Sequence, residues 1–414
     1  MKISKVILYG LCEKTIFVEK ALLATIHIVG YSDSFAEIEE YNNKPFYSVS
    51  NLINVEFDCI IVCLGDRKLF SKISSDLVNA GIPTDKILDI IGLLKKQRVD
   101  AVLENTVKKE YDGIVFGCSH AAWGINPQLL PGNCCNLAVN GEDIYYHYRV
   151  AKKAYDIYLP KIRNLKYVIL DLWDYPVFNV DLSMSTGLLF YYNSYGFMED
   201  LHNYANNPLY KADINLEMKE RNFYSPLSTQ REKSIADAIL NMSYVRENYD
   251  RFFRIRSAGN MEPAKSVLYW EYRLEDEYDM GIPPNSAIPY HGYFACIKRY
   301  YDKTNKENRE YISNLCELLK QIHPELKIFV TLMPRYINVE KLHRDNECMK
   351  KYRGEFLDNM RKIKGDFGVK ILDFKDRWEI SANPHFFRDE DHLNSFGASA
   401  FTSILSKEIQ KEML

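Results

Sequence analysis

Short apolar runs that stop at glycine, aspartate or proline, with helical stretches between them, constrain this chain more than any other feature. In the first hundred residues Lys5-Val-Ile-Leu-Tyr-Gly10, Ile26-His-Ile-Val-Gly-Tyr-Ser-Asp33, Phe57-Asp-Cys-Ile-Ile-Val-Cys-Leu-Gly65 and Lys86-Ile-Leu-Asp-Ile90 read as strands. Helical patterning fills 13–24 and 70–80 between them. Strands that alternate with helices are joined by right-handed crossovers, which predicts a parallel sheet with helices on its faces. This segment reads as a Rossmann-like domain over residues 1–105.

The same grammar resumes after a helix-like link at 92–104. Asp112-Gly-Ile-Val-Phe-Gly-Cys-Ser-His120 is a strand that delivers Ser119 onto a turn. Cys135 to Ala138, Lys166 to Trp173, Leu326 to Pro334 and Val369 to Phe374 give four more strands, so a second α/β domain is expected over 106–414. At 414 residues two domains are the natural division. Ligands of such sheets bind at the C-terminal strand ends, where Ser119, Gly141, Asp174 and Pro334 fall. The stretch at about 180–310 is too long for a loop and reads as a helical insertion or cap over that edge. Its aromatic groups, among them Leu268-Tyr-Trp-Glu-Tyr272, suit either a packed lid or stacking on sugar rings.

A near-balanced formal charge of -3 gives no concentrated basic surface, which argues against a nucleic-acid partner. No apolar run approaches the roughly 20 residues of a membrane helix, and the opening Met1 to Gly10 is too short for a signal peptide. Nine cysteines occur without a CxxC pair, several inside apolar strands, which points to reduced thiols and a cytoplasmic protein. The histidines are scattered without HxH or HExxH spacing, so no metal site is expected.

Nucleotide binding by the first domain has weak support. Its first turn, Gly10-Leu-Cys-Glu-Lys14, lacks the later glycines that let a backbone approach a pyrophosphate, and Glu13 puts negative charge where a phosphate would sit. That also disfavours an NAD-dependent oxidoreductase. Asp33, ending the second strand, is the candidate ribose ligand.

The second domain offers clearer chemistry. A serine hydroxyl needs a base to become a nucleophile, and a neutral histidine suits that task near pH 7. Arg388-Asp-Glu-Asp-His-Leu-Asn394 supplies His392 as base and Asp389, three residues earlier, as the group that fixes its tautomer. The same segment also fits a helix cap, with Asn394 or Ser395 at the N-cap position. His120 is a candidate for substrate contact or for securing the loop. Asp174, Arg335 and Tyr336 sit at the expected mouth, where Arg335 and Tyr336 could hold an anionic group.

Three blocks, Gly117-Cys-Ser-His120, Asn136-Leu-Ala-Val-Asn-Gly141 and Asp389-Glu-Asp-His-Leu-Asn394, resemble the SGNH (GDSL-like) hydrolase superfamily. Within it they are most similar to the Gly-x-Ser-His branch found among surface-polysaccharide modification proteins. The resemblance implies a flavodoxin-like three-layer α/β/α domain, with Ser119 as nucleophile and Asp389 and His392 completing a triad. It also implies an oxyanion hole from the amides of Ser119 and Gly141. Cys118 replaces the aspartate of a Gly-Asp-Ser start. The Gly-x-Asn-Asp block is absent, with Leu172-Trp-Asp-Tyr175 in its place, so Asn140 is the substitute third donor. Losing one donor costs about 3 kcal/mol of transition-state stabilisation.

The function implied is an esterase or O-acyltransferase, acting through an acyl-Ser119 intermediate on a carbohydrate or polysaccharide precursor. The acyl group expected is acetyl. Hydrolysis needs no cofactor, acetyl-CoA is the candidate donor for transfer, and homo-oligomerisation is left open. The alternative is a glycan-biosynthesis protein that keeps the fold as scaffold and uses the first domain for a nucleotide or partner.

Overall fold

The structure, a computed structural model, describes residues 3–64, 67–94, 98–104, 110–139, 142–180, 234–253 and 300–413. The chain divides into two compact units, the first holding residues up to Gln97 and the second starting at Arg98. Both are α/β.

In the first unit, β1 (Lys5–Tyr9), β2 (His27–Ser32), β3 (Glu40–Tyr41), β4 (Lys44–Tyr47), β5 (Cys59–Val62) and β6 (Ile87–Leu88) form a sheet in the order β3-β4-β2-β1-β5-β6. All pairs are parallel except the β3–β4 hairpin. That hairpin was not expected from the sequence. Its turn residues Asn42 and Asn43 take φ of 50° and 56°, the paired left-handed conformation of a tight hairpin turn, which asparagine tolerates better than most residues. Alternate residues feed opposite cores: Val6, Leu8, Cys59 and Ile61 one side, Ile7, Tyr9, Ile60 and Val62 the other.

Helix α2 spans Arg67–Asn79, and α1 (Glu13–Ala21) ends three residues earlier than its pattern suggested. There the chain turns to meet residues 236–241, with Leu23 N donating to Ile239 O at 2.9 Å and Asn241 N to Ala21 O at 2.7 Å. Ile239, Leu240 and Val245 are buried in the core beside Phe17 and Val18. Residues 234–253, including the helix Met242–Phe253, therefore belong to the first unit. They lie within the expected 180–310 insertion, whose residues 181–233 and 254–299 are outside the described residues.

The second unit has five parallel strands, β7 (Gly113–Phe116), β8 (Cys134–Asn136), β9 (Tyr167–Asp171), β10 (Lys327–Leu332) and β11 (Lys370–Asp373), in the order β11-β10-β9-β7-β8. Strand order reverses at β7, the point where open α/β sheets leave a crevice at their C-terminal edge. Helices α3 (Ser119–Gly124), α4 (Ile144–Ile162), α5 (Asp302–Ile322), α6 (Ile337–Asp345), α7 (Glu347–Phe367) and α8 (Ser395–Met413) complete the unit.

Ile114, Phe116, Val168, Leu170, Ile328 and Val330 pack with α4, α5 and α7, whereas Val115, Tyr167, Ile169 and Phe329 pack with α3 and α8. Both faces are thus buried, which is why these strands are continuously apolar rather than alternating. No helix among the described residues is long and apolar enough to cross a membrane.

Candidate active site

β7 ends at Phe116 and the chain turns through Gly117 and Cys118 into α3, with Ser119 as its first residue. Gly117 makes the turn possible by size. A Cβ there would lie 2.6 Å from the Ala121 Cβ and 2.9 Å from the Asp171 Cβ.

Asn136, at the end of β8, then fixes α3. Its Nδ2 donates to the carbonyls of Ala121 at 2.9 Å and Ile125 at 3.0 Å, and its Oδ1 accepts from Ala138 N at 3.0 Å. The sequence had marked Asn136 only as the start of a block. Fully buried, it gives the Ile125 carbonyl a partner and the Ala121 carbonyl a second one beside the Ile125 amide.

The histidine arrives from the other end of the chain. The segment 386–394 is held by Arg388 N to His392 O at 3.0 Å and by Asn394, whose Nδ2 donates to His385 O at 2.7 Å while its Oδ1 accepts from Gly397 N at 3.0 Å. Asn394 thus caps α8, and the cap does not compete with the other reading of this segment. In the loop so formed, His392 Nε2 lies 2.8 Å from Ser119 Oγ, and Nδ1 lies 2.8 and 3.0 Å from the two oxygens of Asp389.

The carboxylate requires a proton on Nδ1, so Nε2 accepts from the serine hydroxyl. Asp389 Oδ1 also receives the amides of Asp391 at 3.0 Å and His392 at 2.8 Å. Burial opposes ionisation of Asp389, but the His392 contact and the two amides outweigh it and hold the carboxyl below its usual range. The His392 and Asp389 side chains are 23% and 39% exposed, so the pair is open to solvent.

His120 stands beside this row, its ring centroid 4.8 Å from that of His392 and 6.2 Å from that of Trp173. Burial lowers its pKa well below the usual value, and His392, Lys375 and Arg335 push the same way, so it is neutral. Trp173 adopts φ of 47°, an unfavourable conformation for an aromatic residue. It occupies the position where the sequence lacked a Gly-x-Asn-Asp block.

Asp174, Arg335 and Tyr336 take a different place from the solvent-facing mouth expected of them. Asp174 is 0% and Arg335 1% exposed, and Tyr336 is buried against Phe387. Arg335 Nη1 lies 2.9 Å from Asp174, its Nε 3.0 Å from Glu340 and its Nη2 2.6 Å from His343 Nδ1. Burial raises the Asp174 carboxyl, but Arg335 and Lys375 prevail and hold it well below its usual value.

The guanidinium is therefore committed internally, because a buried charge must be paired. It still bears on the site, standing 3.9 Å from Asp391, while Tyr336 N donates to Glu390 O at 3.1 Å. Asn140 and Gly141 lie outside the described residues. In the first unit, the carboxylate of Asp33 accepts the amides of Leu11 and Phe35, each at 2.9 Å, and so ties the loops after β1 and β2 together.

Residues 2–88 match the model of a family described as C2185-like, N-terminal. The match spans β1 to β6 and no part of the second unit. No curated protein matches the chain.

Proposed function

We propose that the second unit is a serine-dependent esterase or O-acyltransferase, with an SGNH-like, flavodoxin-like fold, that works through an acyl-Ser119 intermediate. The observation that carries this reading is the hydrogen-bonded row Ser119, His392, Asp389 at the strand-order reversal of the sheet. His392 takes the proton of the Ser119 hydroxyl as its oxygen attacks an ester carbonyl, and Asp389 stabilises the imidazolium that forms. Collapse of the tetrahedral intermediate expels the alcohol of an ester donor, or the thiol where the donor is acetyl-CoA, which receives that proton and leaves acyl-Ser119. Water or a second alcohol, deprotonated by His392, then releases the acyl group.

The Ser119 amide sits at the first position of α3 and cannot bond within its own helix, so it serves as an oxyanion donor. Gly141 and Asn140 are the further donors proposed from the sequence. The acceptor or substrate is a carbohydrate or polysaccharide precursor, the acyl group acetyl, and acetyl-CoA the donor where the reaction is transfer in the cytoplasm. The first unit, with its order β4-β2-β1-β5-β6, fits a Rossmann-like domain.

A second reading, a scaffold without acyl chemistry, is favoured by one feature: Trp173 fills the place of the missing donor block. A fluorophosphonate probe and p-nitrophenyl acetate, applied to the protein and to Ser119→Ala and His392→Ala, separate the two. Labelling at Ser119 that both substitutions abolish supports the enzyme, and the absence of labelling and of turnover favours the scaffold.

A further inference from the structure

β9, β10 and β11 end side by side, and beyond them stand Asp174, Arg335 and Lys375 with Glu340 from α6. Arg335 forms close charged contacts with both carboxylates. Lys375 is placed differently. It is 3% exposed, its ammonium lies 3.4 Å from Glu340 and 3.7 Å from Asp174, and it makes no hydrogen bond to any described residue. An ammonium carries three donors, and leaving them unused in the interior is costly.

This Nζ belongs to a residue that lines a cavity of about 50 Å³, together with Arg344, Lys350 and Arg353 of α6 and α7. One water needs roughly 10–15 Å³ on this measure, so the cavity holds a few waters, or one phosphoryl group, and is too small for a sugar ring. Its lining carries four cations and two carboxylates, Glu340 and Asp376, while Lys350 also pairs with Glu347 at 2.6 Å and Lys375 with Asp174 at 3.7 Å, so an entering anion would compete with these carboxylates for the cations. The Arg344 guanidinium lies over the Trp378 ring at 4.6 Å and that of Arg353 over the Tyr175 ring at 5.4 Å. Both guanidinium groups also pair with Asp376, Arg344 by a hydrogen bond and Arg353 at 4.0 Å, so a phosphate would take up their remaining donors.

We propose that this cavity is a phosphate-binding subsite, with Lys375 as its buried floor and Arg344 and Arg353 as its rim. β11 lies three sheet positions from β7, roughly 14 Å at the usual strand spacing. That span suits a phosphate or diphosphate at one end of a molecule whose ester reaches Ser119. The link to Ser119 rests on the function proposed above, whereas the phosphate site stands on the cavity itself. Two sources carry such a group, a nucleoside-diphosphate sugar as acceptor or the diphosphate of coenzyme A as donor.

Calorimetric titration of pyrophosphate into the full-length Ser119→Ala protein tests the site without turnover. Binding is expected, weakened about tenfold by Arg344→Gln or Arg353→Gln, each of which removes one charged contact. Lys375→Met should abolish it. Arg361→Gln, in an exposed pair with Asp358, is the control expected to change nothing. Thermal unfolding of each variant establishes that it is folded, and the rim variants keep the test valid should Lys375→Met fail to fold.

No binding up to about 10 mM pyrophosphate, or equal binding by both rim variants, overturns the proposal. Displacement by a UDP-sugar or by coenzyme A supports it and names the source, and displacement by neither overturns its assignment to a phosphorylated ligand. Pyrophosphate binding without any Ser119 labelling would leave the subsite standing and remove the acyl-transfer reading alone.

Discussion

Replacing Asp171 by asparagine should make the second unit more stable at neutral pH, by an amount that grows with pH. Asp171 ends β9 beneath the Ser119 turn and is fully buried. Burial drives its carboxyl from the ordinary 3.8 up to about 7, in spite of the Trp173 amide, Lys375 and the Thr331 hydroxyl, which favour the ionised form. In the unfolded chain the group keeps its ordinary value. The rise is thus roughly three units, worth about 4 kcal/mol at most.

The sign follows from the raised folded value. Below about pH 4 the carboxyl is neutral in both states and there is no penalty. As pH rises toward and through 7, the folded state must hold either a proton or a buried charge that the unfolded state need not, and stability is lost. Asparagine carries no such charge. The difference between Asp171→Asn and the parent protein should therefore be small near pH 4 and approach about 4 kcal/mol at pH 8.

Urea unfolding followed by tryptophan fluorescence reads the relevant unit, because Trp123, Trp173 and Trp378 lie in it and residues 1–97 contain no tryptophan. Titrations common to both proteins cancel in the difference. A difference that stays flat from pH 5 to 8 would refute the reasoning, and would mean that water or a cation stabilises the Asp171 carboxylate.

Three further outcomes are expected. Asp389→Asn should lower Ser119-dependent turnover by about four orders of magnitude, as in other serine triads, with near-normal thermal stability. Asn136→Ala should cost about 2–3 kcal/mol in urea unfolding, because it takes the side-chain partner from the buried Ile125 carbonyl and Ala138 amide. Arg335→Met should cost about 3–5 kcal/mol by leaving Asp174 and Glu340 under-neutralised, and adding Glu340→Gln should recover part of that loss.

Ser119, His392 and Asp389, which the structure brings into hydrogen-bonded contact, were legible as candidates because each carries a local signature. A serine after an apolar strand and a glycine, and an Asp-x-x-His before a helix cap, are short-range patterns. The role of Asn136 was not legible, since its value lies in reaching carbonyls 11 and 15 residues away. Nor could the burial of Asp174, Arg335 and Tyr336 be read from the sequence. A charged residue after a strand looks the same in sequence whether it faces solvent or a buried counter-charge.

Asp171 and Lys375 passed unnoticed for the same reason, because their chemistry comes from depth rather than from neighbours in the chain. The β3–β4 hairpin did have a signal, the Asn42-Asn43 pair, but its strands are too short to stand out by alternation.

By itself the sequence determined the alternation of strand and helix and the turn that presents Ser119. These depend on apolar patterning over a few residues and on glycine where a Cβ cannot fit. Only the tertiary structure decided the order β11-β10-β9-β7-β8, which sets Ser119 at the reversal point, and the closure of Ser119 on His392 across 273 positions. It alone joined residues 234–253 to the first unit. It also decided which charges are buried and must be paired. Strand order, burial and pairing are properties of packed neighbours that are distant in the chain, and no local pattern of residues encodes them.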